Sequence, residues 1–162
     1  MSYKTKIYSD IDHLTDQVQE WQAAGETVVF TNGVFDLLHL GHITYLEQAA
    51  ELGQRLVIAV NADTSVRRLK GPQRPIHGSE MRLAMLASMT VVSAVITFEQ
   101  DTPLQVIKTV KPDVLVKGGD YTVDQIVGAA EVQAYGGTVQ QLSFVAGYSS
   151  TDIINKIRTA DD

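Results

Sequence analysis

The 162-residue chain contains no cysteine. Disulfide bonds, thiolate zinc sites and a cysteine nucleophile are therefore excluded. The chain also has no apolar stretch near the roughly 18 residues that a membrane-spanning helix requires. Its N-terminal segment, MSYKTKIYSDIDHL, lacks the apolar core of a signal peptide. We therefore predict a single cytoplasmic domain over residues 1–162 that makes no contact with a membrane.

Basic residues are outnumbered by acidic ones, and the formal net charge of −6 argues against nucleic acid as a partner. The basic residues are nevertheless concentrated, since five of the 13 lie within residues 67–82: Arg67, Arg68, Lys70, Arg74 and Arg82. Such a cluster indicates a small polyanionic ligand, because local charge focuses a potential that the net charge conceals. A solvated basic loop explains the same cluster equally well.

Short runs of β-branched residues alternate with segments of helical periodicity. The predicted strands cover residues 27–30, 56–60, 94–98, 114–116 and 138–142, and the predicted helices cover about 10–24, 43–52, 79–89, 103–110 and 150–158. Strands that are apolar on both faces and separated by helices are typical of a parallel sheet covered on both sides. The prediction is an α/β, Rossmann-like three-layer sandwich with a five-stranded, mostly parallel sheet. Its ligands are expected at the carboxyl ends of the strands.

The segment TNGVFDLLHLGH, residues 31–42, follows the first long strand and allows three interpretations. Asn32-Gly33 is a strong signal for a β-hairpin, but no strand of matching length follows it. His39 and His42 could be two ligands of a metal ion. The other histidines, His13 and His77, do not directly follow a predicted strand, so a transition-metal site has little support.

A phosphate site uses more of these residues. Gly33 and Gly41 leave room for a ligand to approach the backbone. A helix beginning near His42 presents unpaired N–H groups and the positive end of its dipole to an anion. The chain contains neither a GxxxxGK[ST] phosphate loop nor a GxGxxG dinucleotide motif. The histidines would therefore hold the phosphates in place of a phosphate-loop lysine.

The stretch NGVFDLLHLGH resembles the HxGH signature of the nucleotidyltransferase α/β superfamily. Three further segments extend the resemblance to residues 27–158: VNADTSVRRLKGPQRPI, FEQDTPLQVIKTVKPDVLVKGGDY and GYSSTDII. Together they are similar to the D-glycero-β-D-manno-heptose 1-phosphate adenylyltransferases, here in the stand-alone form without the sugar kinase domain fused to them in many bacteria. The chain departs from that pattern at Val34, often cysteine, and at Met81, often acidic.

The resemblance implies a transfer in which a sugar phosphate attacks the α-phosphorus of ATP in line and pyrophosphate leaves. The implied substrates are ATP and D-glycero-D-manno-heptose 1-phosphate, and the product is ADP-heptose for the lipopolysaccharide inner core. Mg²⁺ accompanies the triphosphate and no organic cofactor is implied. A homo-oligomer, namely a dimer, is expected by analogy. Two alternatives stay open: a cytidylyltransferase for a small alcohol phosphate such as glycerol 3-phosphate, and a non-catalytic nucleotide-binding regulatory protein.

The resemblance also assigns roles to residues. The implied catalytic groups are His39, His42 and Lys70. The implied nucleotide contacts, besides the two histidines, are Asn32, Gly33, Val34, Phe35, Gly41, Lys117, Gly118, Gly119, Tyr148, Ser149, Ser150 and Thr151. The implied acceptor contacts, besides Lys70, are Asp36, Asp63, Arg74, Arg82 and Asp120. Asp63 is equally well explained as a helix N-cap, and no side chain is assigned to a metal.

Overall fold

The computed structural model describes residues 2–160, so Met1, Asp161 and Asp162 of the predicted domain lie outside the described residues. Its strands are β1 (Ile7–Tyr8), β2 (Val28–Gly33), β3 (Arg55–Asn61), β4 (Ala94–Phe98), β5 (Val114–Gly118) and β6 (Thr138–Leu142). Its α-helices are α1 (Ile11–Ala23), α2 (Leu40–Ala50), α3 (Asp63–Lys70), α4 (Ser79–Ala87), α5 (Leu104–Val110), α6 (Ala129–Ala134) and α7 (Ser150–Thr159). Across residues 2–160, no helix has both the length and the apolar character needed to cross a membrane.

The strands form one parallel sheet in the order β1-β4-β3-β2-β5-β6. The predicted α/β fold with a parallel sheet is therefore confirmed, but the predicted number of strands is wrong, because residues 2–160 form a sheet of six strands and not five. The additional strand, β1, pairs Ile7 with Val95 and Tyr8 with Ile96. Two residues are too few to produce a periodic pattern in a sequence, which is why β1 was missed.

Buried residues on the two faces of the sheet form two separate cores. On one face, Phe30 and Val57 pack with Leu14 of α1 and Ile107 of α5. On the other face, Ile58 packs in a cluster with side chains of α2 and α4, which include Leu46 and Leu86. Successive residues of β3 thus enter opposite cores, as the two-residue period of a strand requires. Both faces being covered gives the three predicted layers.

The strand order reverses at β2. From β2 the chain passes outward through β3 to β4, and it then returns to place β5 on the other side of β2. β2 and β5 pair only at Val29 with Val114 and at Phe30 with Leu115, although both strands continue beyond these pairs. Parallel sheets bind ligands in the crevice at such a reversal. The predicted location of the site therefore lies between the ends of β2 and β5.

Asn32 and Gly33 do not form a hairpin turn. They are the last two residues of β2, where they pair in parallel with Ala59 and Val60. A Cβ atom on Gly33 would lie 2.8 Å from Cε2 of Phe35, so this position has no room for a side chain beside the ring that follows it. Glycine at this point lets Phe35 fold back over the end of the strand.

The structure corrects the predicted bounds of two helices. Helix α2 begins at Leu40, with His39 as its N-cap, and ends at Ala50, whereas the predicted helix covers residues 43–52. Gly53 is needed for close approach, since a Cβ atom there would lie 2.6 Å from the carbonyl oxygen of Thr27. Helix α4 begins at Ser79, as predicted, with Gly78 as its N-cap, and it ends at Ala87 rather than at residue 89.

The sheet interior should dominate stability. Ile58, in the middle of β3, is fully buried, whereas Ile157 of α7 is 63% exposed. We expect Ile58→Ala to lower the free energy of unfolding by about 2–5 kcal/mol, because it leaves a cavity among packed side chains. The matched variant Ile157→Ala should change the unfolding free energy by only about 0.5 kcal/mol. Urea denaturation checks both variants, and equal effects would contradict this assignment of the core.

Candidate active site

A cavity of about 780 Å³ lies at the carboxyl ends of β2 and β5. The predicted site residues that line it are Asn32, Gly33, Val34, Phe35, Asp36, His39, Gly41, His42, Lys70, Arg74, Lys117, Gly118, Tyr148, Ser149, Ser150 and Thr151. The four predicted residues that do not line it are Asp63, Arg82, Gly119 and Asp120. Segments distant in the sequence, from residue 32 to residue 151, therefore meet at one edge of the sheet.

The two histidines of the HxGH segment stack on each other. His39 is the N-cap of α2, in an extended conformation, and His42 lies in the first turn of that helix. Their ring centroids are 3.8 Å apart with the planes inclined by 25°. A Cβ atom on Gly41 would lie 3.0 Å from Nδ1 of His39 and 3.1 Å from Cβ of Tyr148. A side chain at position 41 would therefore disturb the stacked pair.

Burial lowers the pKa of both imidazoles. The effect is larger at His42, where burial together with the neighbouring charge of His39 lowers the pKa to about 4, against an opposing effect of the Leu37 backbone. Burial alone lowers the pKa of His39. Both rings are therefore mainly neutral near pH 7. Their Nδ1 atoms are buried and have no hydrogen-bond partner among residues 2–160, which leaves polar groups for a ligand to satisfy.

The backbone between β2 and α2 presents a continuous set of unused donors. Within the described part of the chain, no backbone N–H from Val34 to Gly41 donates a hydrogen bond to another protein group. The first N–H to do so is that of His42, which donates to the carbonyl oxygen of His39. Free N–H groups at the start of a helix favour an anion because they carry partial positive charge. The loop and the helix terminus are therefore suited to bind phosphate.

Asp36 is occupied by neighbouring residues of the protein. Its side chain is 1% exposed and accepts hydrogen bonds from the backbone N–H of Ile76 at 2.9 Å, the N–H of His77 at 2.8 Å and Nε of Arg74 at 2.7 Å. Burial alone would raise the pKa of Asp36, but these hydrogen bonds lower it below its usual range. The carboxylate thus anchors residues 74–77 to the loop after β2. Its contact with an acceptor substrate stays a prediction.

Arg82 is placed in the interior, which corrects the prediction that it contacts a substrate phosphate. The side chain is fully buried, and its guanidinium donates to the carbonyl oxygens of His77 and Val34 and to the carboxylate of Asp63. Asp63, the first residue of α3, uses this carboxylate to pair with Arg82 at 2.7 Å. Neither residue is among those that line the cavity. A direct contact of the fully buried Arg82 with an acceptor is therefore ruled out, whereas the predicted role of Asp63, whose side chain is 32% exposed, stays a prediction.

Three other cations do line the cavity: Lys70, Arg74 and Lys117. Lys70 is the last residue of α3, and Lys117 lies near the end of β5. Burial lowers the pKa of Lys117, because the charged ammonium is partly removed from water. Arg74 is held in place by its ion pair with Asp36. The cavity therefore receives positive charge from separate segments of the protein.

The N-terminus of α7 closes one side of the cavity. Ser149 is its N-cap, and the Ser149 hydroxyl accepts a hydrogen bond from the N–H of Asp152 at 3.4 Å. Ser150 Oγ donates to the carbonyl oxygen of Leu37 at 2.7 Å, which fastens α7 to the HxGH segment. Arg74 Nη1 reaches the hydroxyl of Thr151 at 3.5 Å. Two of the three predicted phosphate-binding hydroxyls thus also serve to position the helix.

Three aromatic residues outside the predicted set also line the cavity, namely Tyr45, Tyr121 and Phe144. The hydroxyl of buried Tyr45 lies 2.7 Å from Oγ1 of Thr31, and burial raises the pKa of Tyr45 to about 12. Phe144 and Tyr121 are exposed, and their rings approach Gly119 so closely that a Cβ atom there would lie 3.2 and 3.0 Å from them. Both residues lie in the segments that follow β5 and β6, where the strand-end rule predicts ligand contacts.

Mg²⁺ is the one cofactor that the resemblance implies. The carboxylates that line the cavity are Asp36 and Asp101, which form ion pairs with Arg74 and Arg68. No group of three or more histidine, aspartate or glutamate residues between residues 2 and 160 could hold a metal ion. Mg²⁺ keeps several waters and commonly binds through substrate phosphates, so this donor set fits an ion held chiefly by a triphosphate.

The profile of the cytidylyltransferase-like family matches residues 30–156. The chain belongs to this family. The predicted superfamily is therefore confirmed, and with it the prediction that the chain is a nucleotidyltransferase. The family match includes most of β2, the histidine segment, β5 and most of α7, which contribute residues to the cavity.

Curated relatives share about half of their aligned residues with the chain. It is 54% identical over 148 residues to the bifunctional protein HldE of Ectopseudomonas mendocina, which covers 91% of the chain and 31% of the relative. It is 56% identical over 148 residues to the bifunctional protein HldE of Pseudomonas syringae pv. syringae, with the same coverage. The chain thus spans about a third of the length of these relatives.

Two solved structures have a similar fold. A lipopolysaccharide core biosynthesis protein from Thermoplasma volcanium superposes with a TM-score of 0.60 at 33% identity, covering 75% of the chain and 98% of that protein. A pantoate-beta-alanine ligase from Francisella tularensis superposes with a TM-score of 0.63 at 16% identity, covering 94% of the chain and 77% of that protein. The second likeness concerns the fold alone.

The depressed pKa of His42 should make stability depend on pH. The unfolded chain binds a proton near the ordinary pKa of 6.5, whereas the folded protein binds it only near 4. Between these values the unfolded state holds more protons, so the free energy of unfolding should fall as the pH falls from about 7 towards 4. His42→Gln should make this decrease smaller, as measured by urea denaturation at several pH values. An NMR titration midpoint near 6.5 for His42 would contradict the assignment.

Proposed function

We propose that the protein is an adenylyltransferase that condenses ATP with D-glycero-D-manno-heptose 1-phosphate to give ADP-heptose and pyrophosphate. One observation carries this proposal. At the point where the strand order reverses, N–H groups from Val34 to Gly41 that have no protein acceptor lie in the same segment as two neutral histidines. The choice of substrates is supported by four sequence segments in the order typical of heptose 1-phosphate adenylyltransferases. It is also supported by the similarity to bifunctional HldE proteins and to a lipopolysaccharide core biosynthesis protein.

In the proposed reaction an oxygen of the sugar phosphate attacks the α-phosphorus of ATP. A new phosphorus–oxygen bond forms as the bond between the α-phosphorus and the bridging oxygen breaks, and pyrophosphate carries away the electron pair. The acceptor phosphate is already anionic near neutral pH, so the step needs no general base. Bound Mg²⁺ would neutralise charge on the triphosphate. The protein's contribution is then to position the reactants and stabilise developing charge.

The two histidines would act as neutral hydrogen-bond donors to phosphoryl oxygens. A neutral imidazole has one N–H donor and one acceptor nitrogen, so each ring can supply a single well-directed hydrogen bond. Lys70, Arg74 and Lys117 would supply the positive charge that the neutral rings lack. The N-terminus of α2 adds the partial charge of its free N–H groups. Together these groups favour a phosphorus centre that gains charge during transfer.

The nucleobase would lie over Gly118 and Gly119. Gly118 is the last residue of β5 and lines the cavity, and the rings of Phe144 and Tyr121 lie close to the next residue, Gly119. Exposed aromatic rings can stack on a base of either kind, so stacking alone does not select adenine over cytosine. Selection would come from backbone groups of residues 117–121 and 144–148. For this reason a cytidylyltransferase acting on a small alcohol phosphate is the competing function.

A screen of nucleotides against sugar 1-phosphates tests the proposal. We expect pyrophosphate release with ATP and heptose 1-phosphate, and at least tenfold less with CTP or with glycerol 3-phosphate, because each wrong substrate leaves buried polar groups unpaired. Turnover with CTP and not with ATP would overturn the adenylyl assignment. Tight nucleotide binding with no pyrophosphate release from any pair would instead support a regulatory protein.

Replacing one histidine separates catalysis from binding. We expect His42→Ala to lower kcat by about a hundredfold to a thousandfold, since it removes a donor that stabilises transition-state charge. Steady-state pyrophosphate release measures the effect, and circular dichroism checks that the fold is intact. The matched control is His13→Ala, an exposed histidine of α1 outside the cavity, which should leave kcat unchanged. Unchanged turnover in His42→Ala would refute the assigned role.

A further inference from the structure

Arg82 is the largest fully buried side chain in the described part of the protein. Its three nitrogen atoms reach three different segments. Nη1 donates to the carbonyl oxygen of Val34 at 2.8 Å, Nε donates to that of His77 at 2.9 Å, and Nη2 pairs with Asp63 at 2.7 Å. A charge buried this completely is costly unless it is paired and hydrogen-bonded, and here each nitrogen donates a hydrogen bond, one of them to a carboxylate. The arrangement is therefore specific to arginine, whose planar fork presents several donors at fixed angles.

The bond to Val34 fixes the orientation of one peptide group. In a trans peptide the C=O and the following N–H point in opposite directions. Because the Val34 carbonyl is turned towards buried Arg82, the N–H of Phe35 is turned away from it. Val34 and Phe35 both line the cavity, whereas Arg82 does not. The Phe35 N–H makes no hydrogen bond to another group within residues 2–160, so it is a donor left for a ligand.

The backbone conformation of Phe35 is one that other contacts must stabilise, so the orientation of the Val34–Phe35 peptide depends on neighbouring residues. Its φ of 50° lies in the left-handed region, which is unfavourable for a bulky residue. Such a conformation persists only where the surroundings hold it. Two contacts hold the adjoining peptides, namely Arg82 on the Val34 carbonyl and the backbone N–H groups of Ile76 and His77 on the Asp36 carboxylate. Arg82 also donates to the His77 carbonyl, so both contacts belong to one connected network.

We propose that Arg82 is a positioning residue for nucleotidyl transfer, which directs the Phe35 N–H towards the phosphates of the nucleotide by holding the Val34 carbonyl. The proposal rests on the proposed function for the identity of the ligand. Arg82 itself does not touch the substrate. Its removal should therefore weaken interactions with phosphate and leave interactions with the nucleoside part unchanged, whereas a merely structural arginine would affect both alike.

Nucleotide titrations of Arg82→Gln distinguish these roles. At a temperature well below the unfolding midpoint of the variant, we expect its Kd for ATP to rise at least tenfold while its Kd for adenosine stays within twofold of the wild type. We expect kcat to fall more than KM rises, because the misdirected donor acts most strongly in the transition state. Arg82→Lys, which can restore a single donor, should recover part of the ATP affinity. The matched control is Arg67→Gln, which removes an exposed arginine of α3 and should leave every value unchanged.

Equal losses of ATP and adenosine affinity in Arg82→Gln would overturn the proposal, and so would a Kd for ATP within twofold of the wild type. Should Arg82→Gln not fold, Arg82→Lys and Asp63→Asn give the same comparison, and equal losses in them would likewise refute it. The titrations need no turnover, so they stay informative if the wild type transfers no nucleotide to a sugar phosphate. In that case the proposed function fails, but the titrations still show whether Arg82 has the positioning role. If the wild type binds CTP more tightly than ATP, CTP and cytidine replace ATP and adenosine in the titrations.

Discussion

The site depends on the separation of β2 and β5. These two parallel strands pair at only two positions and do not lie side by side over their full length. Beyond Phe30 and Leu115 the two strands part, since their helices connect to opposite sides of the sheet. Tyr45 of α2 lines this crevice: its hydroxyl lies 2.7 Å from Oγ1 of Thr31 in β2, and a Cβ atom on Gly118 of β5 would lie 3.1 Å from Cε2 of its ring. One side chain of α2 therefore contacts both strands at the point where they part.

Buried charges hold the loop above this crevice. Asp36 and Arg82 are both almost inaccessible to water, and each is bonded to backbone groups of the loop before α4. Taking such groups out of water costs several kcal/mol per ion. They contribute little net stability for this reason, but a fully satisfied network has one low-energy arrangement and so fixes the backbone that it joins. Because no N–H group from Val34 to Gly41 donates to another group within residues 2–160, the loop is fixed mainly through its side chains and carbonyl groups.

The layers of the fold and the place of the cavity were predictable from the sequence, because both follow from local periodicity and from the rule for parallel sheets. Single residues of the basic cluster were not. Arg67 and Arg68 are exposed, Lys70 and Arg74 line the cavity, and Arg82 is buried, although all five lie close together in sequence. Charge alone does not distinguish these environments, because an arginine becomes buried only where distant segments supply acceptors for its N–H groups. The positions of Tyr45 and Phe144 also depend on tertiary packing, so the sequence did not predict them.

The stacking of His39 on His42 limits the electrostatics of the site. Two unit charges about 4 Å apart repel each other by roughly 4 kcal/mol at the effective dielectric of a protein surface, so the two rings cannot readily be positively charged at the same time. Neutral rings avoid this repulsion and remain directional donors. The positive charge is instead placed on Lys70, Arg74 and Lys117, which line the same cavity, and on the helix terminus. The structure thus separates the groups that supply charge from the groups that supply direction, and the buried network around Arg82 belongs with the second.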